Sequence, residues 1–144
     1  MTAMDDEAAA LRFVISVQIW HPTIDPALLT EAFRRAPFRC WQMGLPRTTM
    51  RGDPLPGRWP QSYWVARRRV EGRRDFLVAL LEELAALEAH AALVARLLGE
   101  GGDIQIKVSL PGERNIGDVL TVETMRRMAA LGMNLDIEVF PDMD

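Results

Sequence analysis

The chain has 144 residues, of which 49% are hydrophobic and 26% charged, a composition typical of one globular domain. Its single cysteine, Cys40, cannot form an internal disulfide, and His21 and His90 lack zinc-ligand spacing, so we expect no metal and no other cofactor. The start of the chain is acidic and no segment has about 18 consecutive apolar residues, so we expect a soluble, cytoplasmic protein without a membrane partner. Residues 1–10 are expected to be a disordered acidic stretch and residues 11–144 a single domain.

The first half of the chain predicts three strands, one short helix and a long loop. Alternating apolar residues indicate the strands, which we expect over Leu11–Trp20, Arg39–Met43 and Ser62–Val70. Asp25 before Pro26 is typical of a helix N-terminus, so a helix should run from Pro26 to about Arg35. Residues 44–61 hold four of the nine prolines and three glycines, which predicts a long loop or an irregular hairpin connection.

The second half predicts two helices and two strands. A leucine-rich stripe without proline or glycine predicts one helix over Asp75–Leu98, which would be roughly 35 Å long at 1.5 Å per residue. Strict alternation predicts a strand over Asp103–Leu110. Thr121 suits the N-cap of a helix that ends at Leu131 and buries Val122, Met125, Met128 and Ala129. A last strand over Asn134–Phe140 should point Leu135, Ile137 and Val139 inward.

These elements predict an α+β fold. Their order matches a ferredoxin-like split β-α-β unit with an added helix and strand. We expect a mainly antiparallel sheet with the helices on one face, so that the other face is left available.

Four segments of the chain carry a family resemblance. They are Phe13–Ser16, Gly44–Gly57, Ser62–Trp64 and Leu131–Ile137. With these segments the chain resembles, from about Leu11 to Phe140, a family of small bacterial proteins catalogued as a domain of unknown function, number 4279. The resemblance implies a bacterial single-domain protein and supplies no catalytic residue.

Charge is unevenly distributed along the chain. Between Arg34 and Arg74 there are eleven arginines and two acids, Asp53 and Glu71, so this segment has a formal charge of +9. The other residues carry eighteen acids and six basic residues, or −12, and the net charge of −3 conceals the contrast. The basic middle of the chain is therefore the best indication of a binding surface.

The basic segment also contains aromatic residues, and together they define a candidate partner-binding surface. Guanidinium groups bind carboxylates and phosphates, while aromatic rings stack on bases or pack against apolar groups. We term this set the Arg/Trp surface, and its residues are Arg39, Trp41, Arg47, Arg51, Arg58, Trp59, Tyr63, Arg67 and Arg69.

Three interpretations of the Arg/Trp surface are open. In the first, the arginines pair with the acidic flanks of the protein and lie over its tryptophan rings. In the second, they bind an acidic protein; small, soluble bacterial proteins of this kind include toxin-neutralising immunity proteins. In the third, they bind single-stranded nucleic acid, although the pI of about 5.4 argues against it. We expect a non-enzymatic module with an acidic protein partner, and leave a homodimer open.

The alternative function is a small-ligand or enzyme site under residues 44–61. Arg47 would clamp an anion there, with Asp53 and Tyr63 completing a polar site. No phosphate-binding glycine motif is present, so the glycines of this loop are interpreted as turn residues. We assign no catalytic residue, since Cys40 is expected to be a buried thiol and His21 a strand-end residue.

Overall fold

The computed structural model describes residues 11–141 as a five-stranded sheet, a separate hairpin and four helices. The strands are β1 Arg12–His21, β2 Arg39–Trp41, β3 Pro46–Thr48, β4 Pro54–Arg58, β5 Ser62–Glu71, β6 Asp103–Pro111 and β7 Asn134–Phe140. The helices are α1 Pro26–Phe33, α2 Leu77–Glu88, α3 Ala91–Gly99 and α4 Val122–Leu131. The stretch 1–10, expected to be disordered, lies outside the described residues, as do residues 142–144 of the expected domain.

The large sheet has the strand order β2-β5-β1-β6-β7. All neighbouring strands are antiparallel except β6 and β7, which are parallel. Helix α4 makes the crossover between these two, because a tight hairpin cannot join parallel strands. Strands β3 and β4 form a separate two-stranded sheet, so residues 44–61 form a hairpin connection. The prediction of an α+β fold with a mainly antiparallel sheet is confirmed.

The two faces of the sheet differ in what covers them. The odd-numbered residues of β1, such as Phe13 and Ile15, belong to one buried cluster with residues from all four helices. The helices therefore pack against this face. The even-numbered residues of β1, which include Ser16 and Gln18, lie on the opposite face, termed here the open face.

Side-chain caps explain where α1 and α4 begin, and a glycine explains where α4 ends. The Asp25 carboxylate accepts a hydrogen bond from the Ala27 amide at 3.0 Å, and the Thr121 hydroxyl accepts one from the Thr124 amide at 3.1 Å. Gly132 ends α4 with a φ of 77°, a conformation that favours glycine. These caps confirm the predicted starts of both helices and the predicted end of α4.

The single long helix over Asp75–Leu98 is wrong, because the chain breaks into α2 and α3. His90 lies between them with φ −117° and ψ 35°, outside the helical region. The break changes the phase of the apolar stripe, so that Leu97 is fully buried while Leu98 is only partly covered. The helix therefore breaks where both apolar stripes can be buried against the sheet, although no proline or glycine marks the break.

Burial on α4 and β7 also differs from the prediction. Met128 is buried as expected, but Val122 and Met125 are 58% and 49% exposed. On β7, Ile137 and Val139 are 44% and 62% exposed although they lie on the helix-covered side. The position of β7 explains the exposure of Ile137 and Val139, since β7 is the outermost strand of the sheet that residues 11–141 form.

Within residues 11–141, no helix has the length and apolar character needed to span a lipid bilayer.

Candidate binding groove on the open sheet face

Four aromatic rings form a continuous row at the β2 side of the open face. Trp41 and Trp59 are stacked, with centroids 4.0 Å apart and an angle of 8° between their planes. Tyr63 packs against Trp41 at 4.5 Å and against Trp20 at 5.3 Å. Because Trp59 directly follows β4, this row holds the β3–β4 hairpin against the large sheet.

Several arginines of the Arg/Trp surface lie over these rings or bind main-chain carbonyls. The Arg39 guanidinium lies 5.0 Å from the Trp41 centroid and donates to the Thr48 carbonyl at 3.0 Å. Arg47 lies 5.5 Å from the Trp59 centroid, and Arg58 donates to the Gly44 carbonyl at 2.8 Å. Contacts with rings and carbonyls hold a guanidinium group in place without neutralising its positive charge.

Other basic residues of the segment do pair with acids. Arg35 and Arg68 both bind the buried carboxylate of Glu83, at 2.6 Å and 2.9 Å, and Arg73 binds Asp75 at 2.9 Å. Within the Arg/Trp surface, Arg69 approaches Glu71 at 3.9 Å. The interpretation of internal neutralisation thus holds for these arginines. For Arg39, Arg47, Arg58 and Arg67, residues 11–141 supply no carboxylate within 4.0 Å.

A groove of about 530 Å³ crosses the open face beside the aromatic row. Its floor includes Val14 and Ser16 of β1, and Phe140 lies at the β7 side. Three cations line it, namely Arg39, Arg67 and Lys107. None of its lining residues is an aspartate or a glutamate, so the groove combines apolar surface with positive charge.

A line of hydrogen-bonded side chains runs along one side of the groove. The side-chain amide of Gln105 donates to Oε1 of Gln18 at 2.6 Å, and Nε2 of Gln18 donates to the Tyr63 hydroxyl at 2.9 Å. Burial raises the pKa of Tyr63, so the phenol is neutral at neutral pH. Burial and the neighbouring Glu138 raise the pKa of the Asp136 carboxyl, which Gln105 approaches at 3.4 Å.

Lys107 is the one groove cation that has a carboxylate partner in the described chain. Its ammonium lies 2.8 Å from Glu138 and 5.4 Å from the Phe140 ring centroid. The hydrogen bond from Lys107 is the main reason that the pKa of Glu138 is lowered. Arg67 is different, because its guanidinium carbon lies 3.3 Å from the ring centroid of Phe38 and residues 11–141 supply no carboxylate to it.

The structure brings together part of the predicted surface. Arg39, Trp41, Arg47, Trp59 and Tyr63 are in mutual contact through the aromatic row. Arg67 lies farther along the groove. Arg51 and Arg58 belong to the exposed hairpin, and Arg69 lies near the end of β5; none of these three lines the groove.

Sequence reasoning missed Ser16, Phe38 and Lys107 as groove residues. In β1 and β6 apolar and outward-facing positions alternate along the strand. Ser16 and Lys107 occupy outward-facing positions, and they are directly opposite each other in the pairing of β1 with β6. The alternation indicated their side of the sheet, but only the strand order shows that they are neighbours. Phe38 precedes β2, where no periodic pattern exists.

The expected polar site of Arg47, Asp53 and Tyr63 does not form. Two tryptophan rings separate Arg47 from Tyr63, whose hydroxyl binds Gln18 instead. Asp53 is exposed in the hairpin connection, where its main chain bonds with that of Thr49. Of residues 44–61, the groove takes only Met50 into its lining.

The sequence also predicted the environments of Cys40 and His21. Cys40 is exposed, and the expected burial is wrong because it lies on the three-residue edge strand β2. His21 is buried, and its Nδ1 accepts hydrogen bonds from the amides of Thr23 and Ile24 at 3.0 Å and 2.9 Å. The ring proton is therefore on Nε2, which donates to Glu100 at 3.0 Å and anchors the end of β1.

Comparison of the chain with family models, with curated proteins and with solved structures finds no match in any of the three. In the described chain, no group of three or more histidine, cysteine, aspartate and glutamate side chains is arranged to hold a metal ion. The groove and the Arg/Trp surface are therefore the features that indicate the function.

Proposed function

We propose that the protein is a non-enzymatic binding module that holds an acidic protein on the Arg/Trp surface, in the manner of small bacterial immunity proteins. The observation that carries the proposal is the set of contacts made by the arginines in and near the groove. They lie on aromatic rings and main-chain carbonyls, and their charge is left for a partner to neutralise.

The geometry of stacking supports binding of carboxylates. A guanidinium donates hydrogen bonds in its own plane, whereas a ring contact covers one of its faces. Arg67 on Phe38 can therefore still present N–H groups to a partner carboxylate, and the contact restricts the movement of its long side chain. Trp, Tyr and Arg are also the residues that most often dominate binding energy at protein interfaces.

Three further proposals concern the fold, the family and the location of the protein. Helical connections join β1 to β2 and β5 to β6, and the order β2-β5-β1-β6 supports a ferredoxin-like split β-α-β unit extended by α4 and β7. Membership of the unknown-function family 4279 and a cytoplasmic location both stay predictions.

Charge reversal tests the proposed interface. Cross-linking in source cells should first identify a partner, which is then purified and titrated calorimetrically with the protein. We expect Arg39→Glu combined with Arg67→Glu to weaken the affinity at least about 30-fold, because two partner carboxylates then face like charge.

Arg126→Glu is the matched control. Arg126 is exposed on α4, which packs on the other side of the sheet, so this change should alter the affinity less than about 2-fold. Equal losses from the double variant and the control would contradict the interface. The proposal is overturned if none of the partners identified by cross-linking binds the unmodified chain, once purified, more tightly than about 10 µM.

Nucleic acid is the competing macromolecule, since the aromatic row could stack bases. Retardation of single-stranded RNA or DNA, with an affinity that falls steeply as salt increases, would replace the protein proposal. We expect no retardation at low salt, because the whole chain has a net charge of −3.

A further inference from the structure

Three polar side chains lie side by side across the middle of the open face. Ser16 on β1 is in register with Arg67 on β5 and with Lys107 on β6. Directly opposed residues of antiparallel strands have Cβ atoms about 4.5–5.5 Å apart, so the two cations stand on either side of the serine. A carboxylate placed over Ser16 would be within reach of both.

Both cations have donors left for a ligand. Among residues 11–141, Arg67 has no carboxylate partner, and its ring contact with Phe38 leaves the edge of the guanidinium available. Lys107 binds Glu138, but an ammonium has three N–H groups and one such contact does not use them all. Arg39 adds a third positive charge to the same groove.

Apolar groups surround this polar row. Val14 and Val65 form part of the floor, and the exposed side chains of Phe38 and Met50 stand nearby, with 44% and 62% of their surface accessible. The groove volume of about 530 Å³ lies within the roughly 300–1,000 Å³ usual for small-molecule sites. A ligand that fits must therefore combine a negative group with an apolar body.

We propose that the groove binds a small organic carboxylate with an apolar tail. The carboxylate lies over Ser16 between Arg67 and Lys107, and the tail packs against Phe38, Val65 and Met50. This site does not depend on the proposed protein partner, because purified protein and a defined small molecule are enough to test it.

Octanoate and 4-phenylbutyrate are suitable probes, with octanamide as the neutral analogue of the first. In NMR titrations of the labelled protein, at least one carboxylate should give saturable shifts centred on the amides of Val14, Ser16, Val65 and Lys107. Octanamide should bind at least about 10-fold more weakly than octanoate, because it cannot form charge-assisted hydrogen bonds.

Variants assign the charge to individual residues. Arg67→Gln should weaken carboxylate binding about 10-fold or more, whereas Arg126→Gln on α4 should leave it unchanged. Lys107→Gln should also weaken binding, and folded spectra of each variant exclude a general loss of structure. Equal losses in the Arg67 and Arg126 variants would overturn the site.

Three other results would overturn the proposal. These are no saturable binding of either carboxylate up to about 10 mM, equal affinity for octanamide, and shifts centred away from the groove. Each of them would leave the acidic-protein interface standing, since that proposal is measured with a purified protein partner. Conversely, loss of the protein proposal would not affect carboxylate binding.

Discussion

Glu82 and Glu83 are neighbouring acids of α2 that differ in burial and therefore in their role. The side chain of Glu83 is 5% exposed and accepts hydrogen bonds from Arg35 and Arg68, at 2.6 Å and 2.9 Å. The side chain of Glu82 is 61% exposed and lies 3.2 Å from Arg68. A buried carboxylate between two guanidinium groups stabilises the fold only as long as all its partners remain.

We expect Glu83→Gln to lower the free energy of unfolding by about 2 kcal/mol, because it leaves two partly buried guanidinium groups without their shared anion. Glu82→Gln is the matched control and should change it by less than about 0.5 kcal/mol. Urea unfolding at neutral pH measures both. Similar values for the two variants would contradict the assigned role of burial.

Gly102 is required by close packing rather than by backbone torsion. A Cβ atom at this position would lie 2.7 Å from the Leu97 carbonyl oxygen and 2.9 Å from that of Trp20. Both are backbone atoms, so relief requires β1 or the end of α3 to move.

Gly102→Ala should therefore destabilise the protein by about 1–3 kcal/mol, the usual cost of overpacking. Gly117→Ala, where a Cβ atom meets nothing within 4 Å, should be close to neutral. Thermal unfolding followed by circular dichroism distinguishes them. A neutral Gly102→Ala would show that the two segments are not held as closely as described.

Among the elements, the β3–β4 hairpin depends strongly on contacts outside itself. A two-stranded hairpin is marginally stable in water, and this one is fully exposed along β4. The stack of Trp59 on Trp41 and the hydrogen bond from Arg39 to the Thr48 carbonyl attach it to the large sheet. The ring stack buries the larger area, so we expect it to contribute most to the position of the hairpin.

Trp59→Ala should speed hydrogen exchange of the hairpin amides, such as that of Thr49, by at least about 10-fold, because the stacking energy of an aromatic pair is lost. Exchange in the central strands β1 and β6 should change far less. Leu55→Ala in the same hairpin is the control and should have little effect, since Leu55 is exposed. Equal acceleration in β1 would contradict a local role for Trp59.

The elements differ in how far their sequences predicted them. Alternation and capping residues gave β1, β5, β6, β7 and the starts of α1 and α4, because these signals are local. The break at His90 has no local signal, since it serves the burial of Leu97 against a sheet formed by distant strands. The hairpin also escaped prediction as strands, because its two strands contain three prolines and pair in an irregular register.

At the scale of the whole molecule, an ion pair joins α2 to α4. Arg127 donates through Nε to one oxygen of Glu88 at 3.0 Å and through Nη2 to the other. The hydrogen bonds from Arg127 lower the pKa of Glu88 below its ordinary value of 4.5. A carboxylate whose pKa is lowered by folding stabilises the native state above its unfolded pKa and loses this contribution as the pH falls through its folded pKa.

Glu88→Gln should therefore lower the melting temperature at pH 7 and reduce its decrease between pH 7 and pH values well below 4.5. Glu31→Gln is the control, because Glu31 is exposed on α1. Calorimetric melting at both ends of this pH range gives the comparison. A variant whose melting temperature decreases with acid as steeply as that of the unmodified protein would contradict the assignment.

The candidate site was predictable in charge but not in shape. The segregation of arginines along the chain identified the basic aromatic surface, because net charge is a property of the sequence alone. The groove is assembled from five strands, and the neighbours Ser16, Arg67 and Lys107 are far apart in sequence. Which arginines pair with acids also depends on the fold, since Arg67 and Arg68 point to opposite faces of β5.

The acids of β7 have a consequence for aggregation. If two copies joined through the free edges of this strand with their apolar sides matched, Asp136 and Glu138 would be brought next to carboxylates of the other copy. Growth of intermolecular ribbons is thus opposed at neutral pH. Since the pKa of Asp136 is raised, acid neutralises this carboxylate at a higher pH than an ordinary aspartate, and light scattering during acidification should rise earlier for the unmodified protein than for Asp136→Lys.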